Sequence, residues 1–409
     1  MRKDALDIFD YAVKAANPYD RVFEKVKEMK FDKPPYIVAV GKAACSMAQA
    51  AYDALDGNIE KGIVITKYDH LSALPDKITG YEAAHPIPDL NTVFASEQAL
   101  KMCLTLTAQD NLIFLISGGG SALFEIPLVE LEELESITDA LIRSGATIDE
   151  INIIRKHLSQ VKGGRFANLL KCHIEALLLS DVIGGRVDSI ASGPCSPDTS
   201  TSKEALLITE RYNIPLSEKA KKSIAIETPK EIKNANVTVV GDLSTLCDAA
   251  ADRANQLGYM PVIMSKSLTG ECHAAITSII EQAETMENAS DKKTALIYGG
   301  EVTVNLVGDG VGGRNQEMVL YAVKMIAGKN MVLMCAGSDG TDGPTDAAGA
   351  IADGTSLSQF QAQGINIDDY LANNDSYHAL KLTGDLIFTG ATGTNVNDLI
   401  LVLMGEKAG

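Results

Sequence analysis

Asn111-Leu-Ile-Phe-Leu-Ile116-Ser117-Gly118-Gly119-Gly120-Ser121-Ala-Leu-Phe124 is the stretch on which the reading of this chain turns. Leu112 to Ile116 is a short, wholly apolar run with β-branched and aromatic members, which suits a strand buried on both faces. It passes directly into Ser117–Ser121, a loop of bare backbone. Three glycines remove every Cβ that would hold a ligand away, and Ser121 is placed to cap a following helix whose first amides point at the same spot. Such a join suits a phosphate or a carboxylate. A tight turn without a ligand is the plainer alternative, commoner for two glycines than for three flanked by serines.

Upstream, Leu6, Ile8, Phe9, Ala12 and Val13 fall at helical spacing and predict a packing helix. Tyr36–Val40 predicts a second buried strand, delivering Gly41-Lys42-Ala43-Ala44 into a helix of small residues. This join lacks GxGxxG and resembles a dinucleotide site only weakly. Lys42 stands at the first turn of that helix, where the dipole disfavours a cation, so it calls for solvent or an anion. In His85-Pro-Ile-Pro-Asp89, two prolines hold His85 and Asp89 in a stiff segment ahead of a helix beginning near Asn91 or Thr92.

Downstream, Ile151, Ile154, Leu158 and Val161 form an apolar stripe. This predicts a helix that Gly163-Gly164 ends, with Asn152, Arg155, Lys156, Ser159 and Lys162 on its polar side. Residues 174–180 predict another buried strand, running into Asp181-Val-Ile-Gly-Gly185. Polar residues thus gather just past strand ends, where open α/β sheets bind ligands.

Polar sequence around 196–236 marks a domain crossing, after which Val237–Val240 opens a second unit. There Met331–Cys335 reads as a strand running into Gly337-Ser-Asp339-Gly-Thr-Asp342-Gly-Pro-Thr-Asp346. Asp385–Phe388 reads as another, delivering Thr389-Gly390-Ala391-Thr392-Gly393-Thr394-Asn395. Glycine-spaced aspartates are turn formers or hard-oxygen ligands for Mg²⁺, and three within eight residues with threonines between favour the metal.

Composition narrows the function. At 409 residues the chain exceeds what one core usually serves, so two domains are expected. A net charge of −18 argues against nucleic acid or an anionic membrane as partner, since either wants a basic face. The seven cysteines form no CxxC pair, no 18-residue apolar run occurs, and the start Met1-Arg2-Lys3-Asp4 reads as an amphipathic helix. A cytoplasmic location with reduced thiols is expected, as monomer or homodimer. Backbone amides, Lys and Arg for anions and carboxylates for a divalent metal are the needs of phosphoryl transfer. No Walker A or protein-kinase motif is present, and neither GxSxG nor HExxH occurs.

Taken together, the motifs resemble those of the MOFRL-containing glycerate 2-kinase family. The resemblance runs from Gly41-Lys42-Ala43 through His85–Asp89, Ile116–Ser121, Arg155–Ser159, Lys162–Arg165, Ser180–Val182 and Ala191–Pro194. It continues in Gly299–Glu301, Gly312–Glu317, Ser338–Thr345 and Gly393–Asp398. It implies ATP- and Mg²⁺-dependent transfer of a phosphoryl group to the 2-hydroxyl of D-glycerate. It also implies a Rossmann-like three-layer N-terminal domain over 1–231, a smaller α/β domain over 232–409 with the MOFRL region near 293–403, and an active site in the cleft between them.

The resemblance places Lys42 and Arg314 on the glycerate carboxylate and the transferring phosphoryl, in either order. Asp342 is the expected catalytic carboxylate and Asp339 and Asp346 the expected metal ligands, with base and ligand roles interchangeable among the three. Ser117, Gly118, Gly119, Gly120, Ser121, Arg155, Lys162, Asp181, Glu301 and Asn315 are expected around substrate or phosphate. Gly390, Thr392, Gly393, Thr394 and Asn395 are expected around the nucleotide. Gly185 stands where the family usually has aspartate and Ala391 where it often has proline; loop geometry is what these departures are expected to change, with Asp181 or Asp188 taking over any lost metal contact. The alternatives are a hydroxypyruvate reductase, which needs a nicotinamide site, and a non-catalytic module binding sugar acids or phosphates.

Overall fold

Ile37–Val40 and Leu112–Ile116 are fully buried, and they lie side by side as parallel strands with Val40 opposite Ile116. The computed structural model describes residues 1–180, 187–289 and 292–406, so Asp181 and Gly185 lie outside the described residues. The strands are β1 Tyr36–Val40, β2 Gly62–Lys67, β3 Ile78–Ala83, β4 Asn111–Ile116, β5 His173–Leu179 and β6 Ala235–Gly241 in one sheet. A second sheet holds β7 Met260–Leu268, β8 Thr294–Gly300, β9 Met331–Gly337, β10 Gly349–Asp353, β11 Leu386–Ile387 and β12 Asp398–Met404.

The chain divides into two units, Pro18–Val240 and Met1–Asn17 with Gly241–Gly409. This differs from the expected division at 231/232 in two ways. Strand β6 completes the first sheet, which carries the first unit to Val240. The opening helix Arg2–Ala15 belongs with the C-terminal unit: its Asp7 pairs with Arg253, its Asp4 accepts from the Tyr259 hydroxyl at 2.7 Å, and its Arg2 donates to Asp385 at 2.8 Å. Local periodicity shows that a helix is amphipathic but not which core its apolar face meets.

In the Pro18–Val240 unit the strand order is β3-β2-β1-β4-β5-β6, with β3 through β5 parallel. Val38 and Val40 join a core with Ala95, Ala99 and Leu100 of the helix Leu90–Leu104, while Ile37 and Ala39, on alternate positions, are equally buried. Both faces of the sheet are therefore covered, which is the three-layer Rossmann-like arrangement. The order reverses direction between β1 and β4. That gap, outside the carboxyl ends of the strands, is the switch point where doubly wound sheets take their ligands.

In the C-terminal unit the order is β11-β10-β9-β12-β8-β7, and β12 runs antiparallel to both β8 and β9. Helices Cys272–Ala289 and Arg314–Ala322 supply Ile276, Ile280, Met318 and Val319 to its core. The expected strand near 385–388 contributes only the two-residue edge β11, and the central position falls to β12, an apolar run the sequence reading left unassigned.

Candidate active site

The loops after β1 and β4 are built against one another. The Lys42 amide donates to Gly118 O at 2.9 Å, and the Ala43 amide donates to Ser117 Oγ at 3.0 Å. Gly41 makes this possible. Its φ is +118°, and a Cβ there would stand 2.3 Å from Ser117 Oγ and 2.6 Å from Ser117 O. Gly41→Ala is expected to cost about 2–3 kcal/mol, read as a fall of roughly 5–10 °C in melting temperature. Ser121 does not cap a helix, contrary to expectation. The cap of the single turn Gly120–Leu123 is Gly119, at φ +86°, and Ser121 Oγ instead lies 3.1 Å from Ser192 Oγ. The Ser121 carbonyl accepts from Arg155 at 3.2 Å, so Arg155 steadies the loop from behind.

Among the described residues the amides of Gly118 and Gly119 donate to no acceptor, and the half-buried Lys42 and Lys67 have no carboxylate partner. His85 lies against Gly119: a Cβ on that glycine would sit 3.0 Å from His85 Cδ2 and 3.2 Å from Nε2. Burial, with Lys42, Lys67 and His70 adding to it, lowers the His85 pKa to about 4. Burial and the same two lysines lower His70 as well. A chain with 54 acidic and 36 basic residues thus gathers two lysines and two histidines at the switch point; no acid is among the charges acting on His85, while Asp69 and Glu82 act on the exposed His70.

The expected basic helix face is not a solvated face. The helix Ile148–His157 ends early and Ser159 bridges to Pro127, which takes Lys162 off the helix. Lys162 is wholly buried, donating to Phe124 O at 2.7 Å and lying 2.9 Å from Glu125, itself wholly buried. Lys156 is buried between Asp188 and Asp198 at 3.3 and 3.2 Å. These cations neutralise buried carboxylates.

In the C-terminal unit the register sets Asp398 of β12 opposite Gly300 of β8 and Gly337 of β9. Two glycines beside one buried carboxylate leave room for Arg314, the first residue of the helix Arg314–Ala322. Its Nε and Nη2 donate to Asp398 at 2.5 and 3.1 Å, and Nη1 lies 2.9 Å from Glu301. Burial raises the Asp398 pKa while Arg314 opposes the rise; burial opposes the Arg314 charge, and Asp398, Glu301 and Asp342 outweigh it. The bidentate pair is ionised.

The three aspartates of 339–346 do not converge, which corrects the expected arrangement. Asp342 is buried and accepts from the amides of Asn315 and Gln316 at 3.2 and 2.9 Å and from Asn315 Nδ2 at 3.2 Å, serving as a cap for Arg314's helix. Burial, with Asp398 adding to it, pushes its pKa up to about 6 against those amides. A Cβ at Gly313 would overlap its carboxyl carbon, so backbone and carboxylate are in close contact. Asp346 is exposed and accepts from the Tyr377 hydroxyl at 2.8 Å. Asp339 turns toward Asp398: a Cβ built on Gly337 would lie 3.3 Å from an oxygen of the first and 3.4 Å from one of the second. Among the described residues, the group of three His, Cys, Asp or Glu with ligand atoms within 4.8 Å of each other is Glu271, Cys272 and His273, not these. Gly340 and Gly343, at φ +88° and +62°, turn the backbone so that the aspartates part.

The loop 389–397 lies over 338–342. Thr392 donates to Ser338 O at 2.5 Å, the Val396 amide donates to Ser338 Oγ at 2.9 Å, and the buried Thr394 donates to Ala16 O at 3.0 Å. Both threonine hydroxyls are therefore engaged within the unit. Gly390 and Gly393 are exposed and Asn395 is half-buried.

Known proteins are similar to this chain along its whole length. A domain of unknown function (DUF4147) matches residues 4–225, and the MOFRL family matches residues 294–398. The chain is 46% identical over 411 residues to the D-glycerate 2-kinase of Thermotoga maritima, with 99% of this chain and 98% of that one covered. The chain belongs to the MOFRL-containing glycerate 2-kinase family. It is also 39% identical to the glycerate 2-kinase of Pyrococcus horikoshii, covering 100% of this chain and 98% of that one. A crystal structure of a glycerate kinase from Thermotoga maritima matches with a TM-score of 0.94 and 46% identity, over 98% of this chain and 99% of that one.

Three residues that stand at these sites are not among the expected site residues. Asp398 stood at the end of a quoted motif, and the signal was available: an acid opening a six-residue apolar run is a carboxylate placed at the mouth of a buried strand. Lys67 ends β2, where a dinucleotide fold would carry an acid. His85 was noted only as part of a stiff segment.

Proposed function

We propose that the chain transfers the γ-phosphoryl group of ATP to the 2-hydroxyl of D-glycerate, giving 2-phosphoglycerate and ADP. The observation that carries this reading is Lys42, unpaired among the described residues in an acidic chain, beside the open amides of Gly118 and Gly119 at the switch point. An anionic group there meets a fixed cation, two amides and low local dielectric, which is how charge in phosphoryl transfer is held. Arg314 differs in being balanced by Asp398 and Glu301. Lys42 is therefore the cation to which the substrate's own negative charge is assigned.

For Mg²⁺ the donor set of the C-terminal unit fits. Asp339 and Glu301 each keep one carboxylate oxygen without a partner among the described residues. Mg²⁺ in kinases is held by one or two carboxylates together with substrate phosphates. Bound there, it supplies charge neutralisation to the phosphates. The exposed backbone at Gly390 and Gly393 is the part of its loop open to a nucleotide. With all seven cysteines free and buried, reducing cytoplasm is the proposed setting. No helix among the described residues is long and apolar enough to cross a membrane.

The purified protein with ATP, Mg²⁺ and D-glycerate is expected to give a metal-dependent 2-phosphoglycerate signal in phosphorus NMR. A 3-phosphoglycerate signal would overturn the regiochemistry. NADH-dependent reduction of hydroxypyruvate without phosphoryl transfer would replace the kinase by a reductase.

A further inference from the structure

Of the six histidines, His157, His173, His273 and His378 each hold a ring hydrogen bond, to Ile153 O, Glu175, Glu317 and Asp375. His70 and His85 hold none among the described residues, and His70 is exposed whereas His85 is half-buried. His85 is fixed from both sides. Asp89 accepts from the Ala84 amide at 3.3 Å and caps the helix Leu90–Leu104 through Thr92, so the short segment between them is pinned at its ends. The ring edge lies on Gly119, where any side chain would push it away. A half-buried imidazole with open nitrogens is thus presented to the same loop that offers free amides.

The expected carboxylate acceptor is taken: both oxygens of Asp342 are engaged by the helix it caps, and the side chain is buried. We infer that His85 is a catalytic residue, accepting the proton of the substrate hydroxyl as that oxygen attacks the phosphorus. The inference rests on the kinase reading above. In the step, the hydroxyl O–H bond breaks and its proton goes to an imidazole nitrogen. The oxygen's electron pair forms the new O–P bond, and the P–O bond to ADP breaks with its electrons leaving on ADP. The imidazolium then returns the proton to solvent.

The surroundings make this acceptor substrate-dependent. The charged and titratable groups facing His85 are Lys42 after β1, Lys67 at the end of β2 and His70 beyond it; Ser117–Ser121 after β4 brings none. In the free protein burial opposes protonation first, and Lys42, Lys67 and His70 add to it. An anion seated on Lys42 offsets their field and raises the ring's proton affinity when a hydroxyl is present to deprotonate.

The test compares wild type with His85→Gln and His85→Asn, which keep a hydrogen-bonding amide but cannot take up a proton. D-glycerate binding is followed by calorimetry near pH 5.5 in two buffers of different ionisation enthalpy, and kcat is followed across pH. Wild type is expected to take up protons on binding. Both variants are expected to bind within about threefold, to take up no protons, and to lose about 100-fold in kcat together with its acid limb. Variant kcat within threefold of wild type, or proton uptake and an acid limb that survive in the variants, would overturn the assignment. A wild type that neither binds nor phosphorylates D-glycerate removes the kinase reading, and His85 with it.

Discussion

Lys42→Met is expected to lower kcat/KM about 1,000-fold while leaving the melting temperature within about 2 °C. The two halves of this expectation have one cause. A cation with no partner among the described residues contributes little to the folded state, so removing it breaks no ion pair and leaves no buried carboxylate unpaired. Its whole effect falls on the anion that the open amides and Lys42 hold together. Lys42→Arg should recover only part of the loss, because a planar fork does not place its charge where a compact ammonium does. Steady-state kinetics beside thermal melts by circular dichroism separate the two effects. A fall in stability comparable to the fall in activity would make Lys42 a structural cation. A secondary sign should follow at His85: with one opposing cation gone, its pKa rises from about 4 toward the ordinary value.

Local reading worked where local forces decide. The strands at 36–40 and 111–116 were legible because a short apolar run closed by glycine has few other fates, and their loops carried the chemistry with them. The order of the strands was not legible, since nothing in β1 or β4 states that they lie side by side. Two apolar runs near the C-terminus shared one signal. The shorter became the edge β11 and the longer the central β12, a choice made by pairing with β8 and β9, whose partner residues lie 98 to 110 and 61 to 73 positions away. Lys162 shows the limit for charges. Its partner Glu125 lies 37 positions back, and periodicity around Lys162 indicates a polar face where the fold provides a buried carboxylate. The aspartates at 339, 342 and 346 suggested a single ligand cluster because they are near in sequence. Left-handed glycines between them undo that nearness, and the carboxylate most tightly joined to Arg314 is Asp398, over 80 residues away.

Asp398→Ala is expected to cost the C-terminal unit about 3 kcal/mol and to lower kcat/KM more than 100-fold. The carboxylate is almost fully buried on the central strand, and it fixes two of the three guanidinium nitrogens of Arg314. Without it Arg314 keeps Glu301, which is 46% exposed and so only weakly coupled. Because Arg314 is itself 32% exposed, water can reach it, and the cost belongs at the lower end of the range for a broken buried pair. The double variant Asp398→Ala with Arg314→Met separates scaffold from chemistry. If the pair's structural role is mutual neutralisation, removing both charges should restore most of the stability lost on removing one, which a double-mutant cycle by urea unfolding measures. Activity should stay low in the same protein, since the oriented cation is gone. Recovery of activity along with stability would mean that Asp398 and Arg314 only hold β12 and the helix Arg314–Ala322 together. Low stability in the double variant would mean that the two glycines beside Asp398 leave a space that only the charged pair fills.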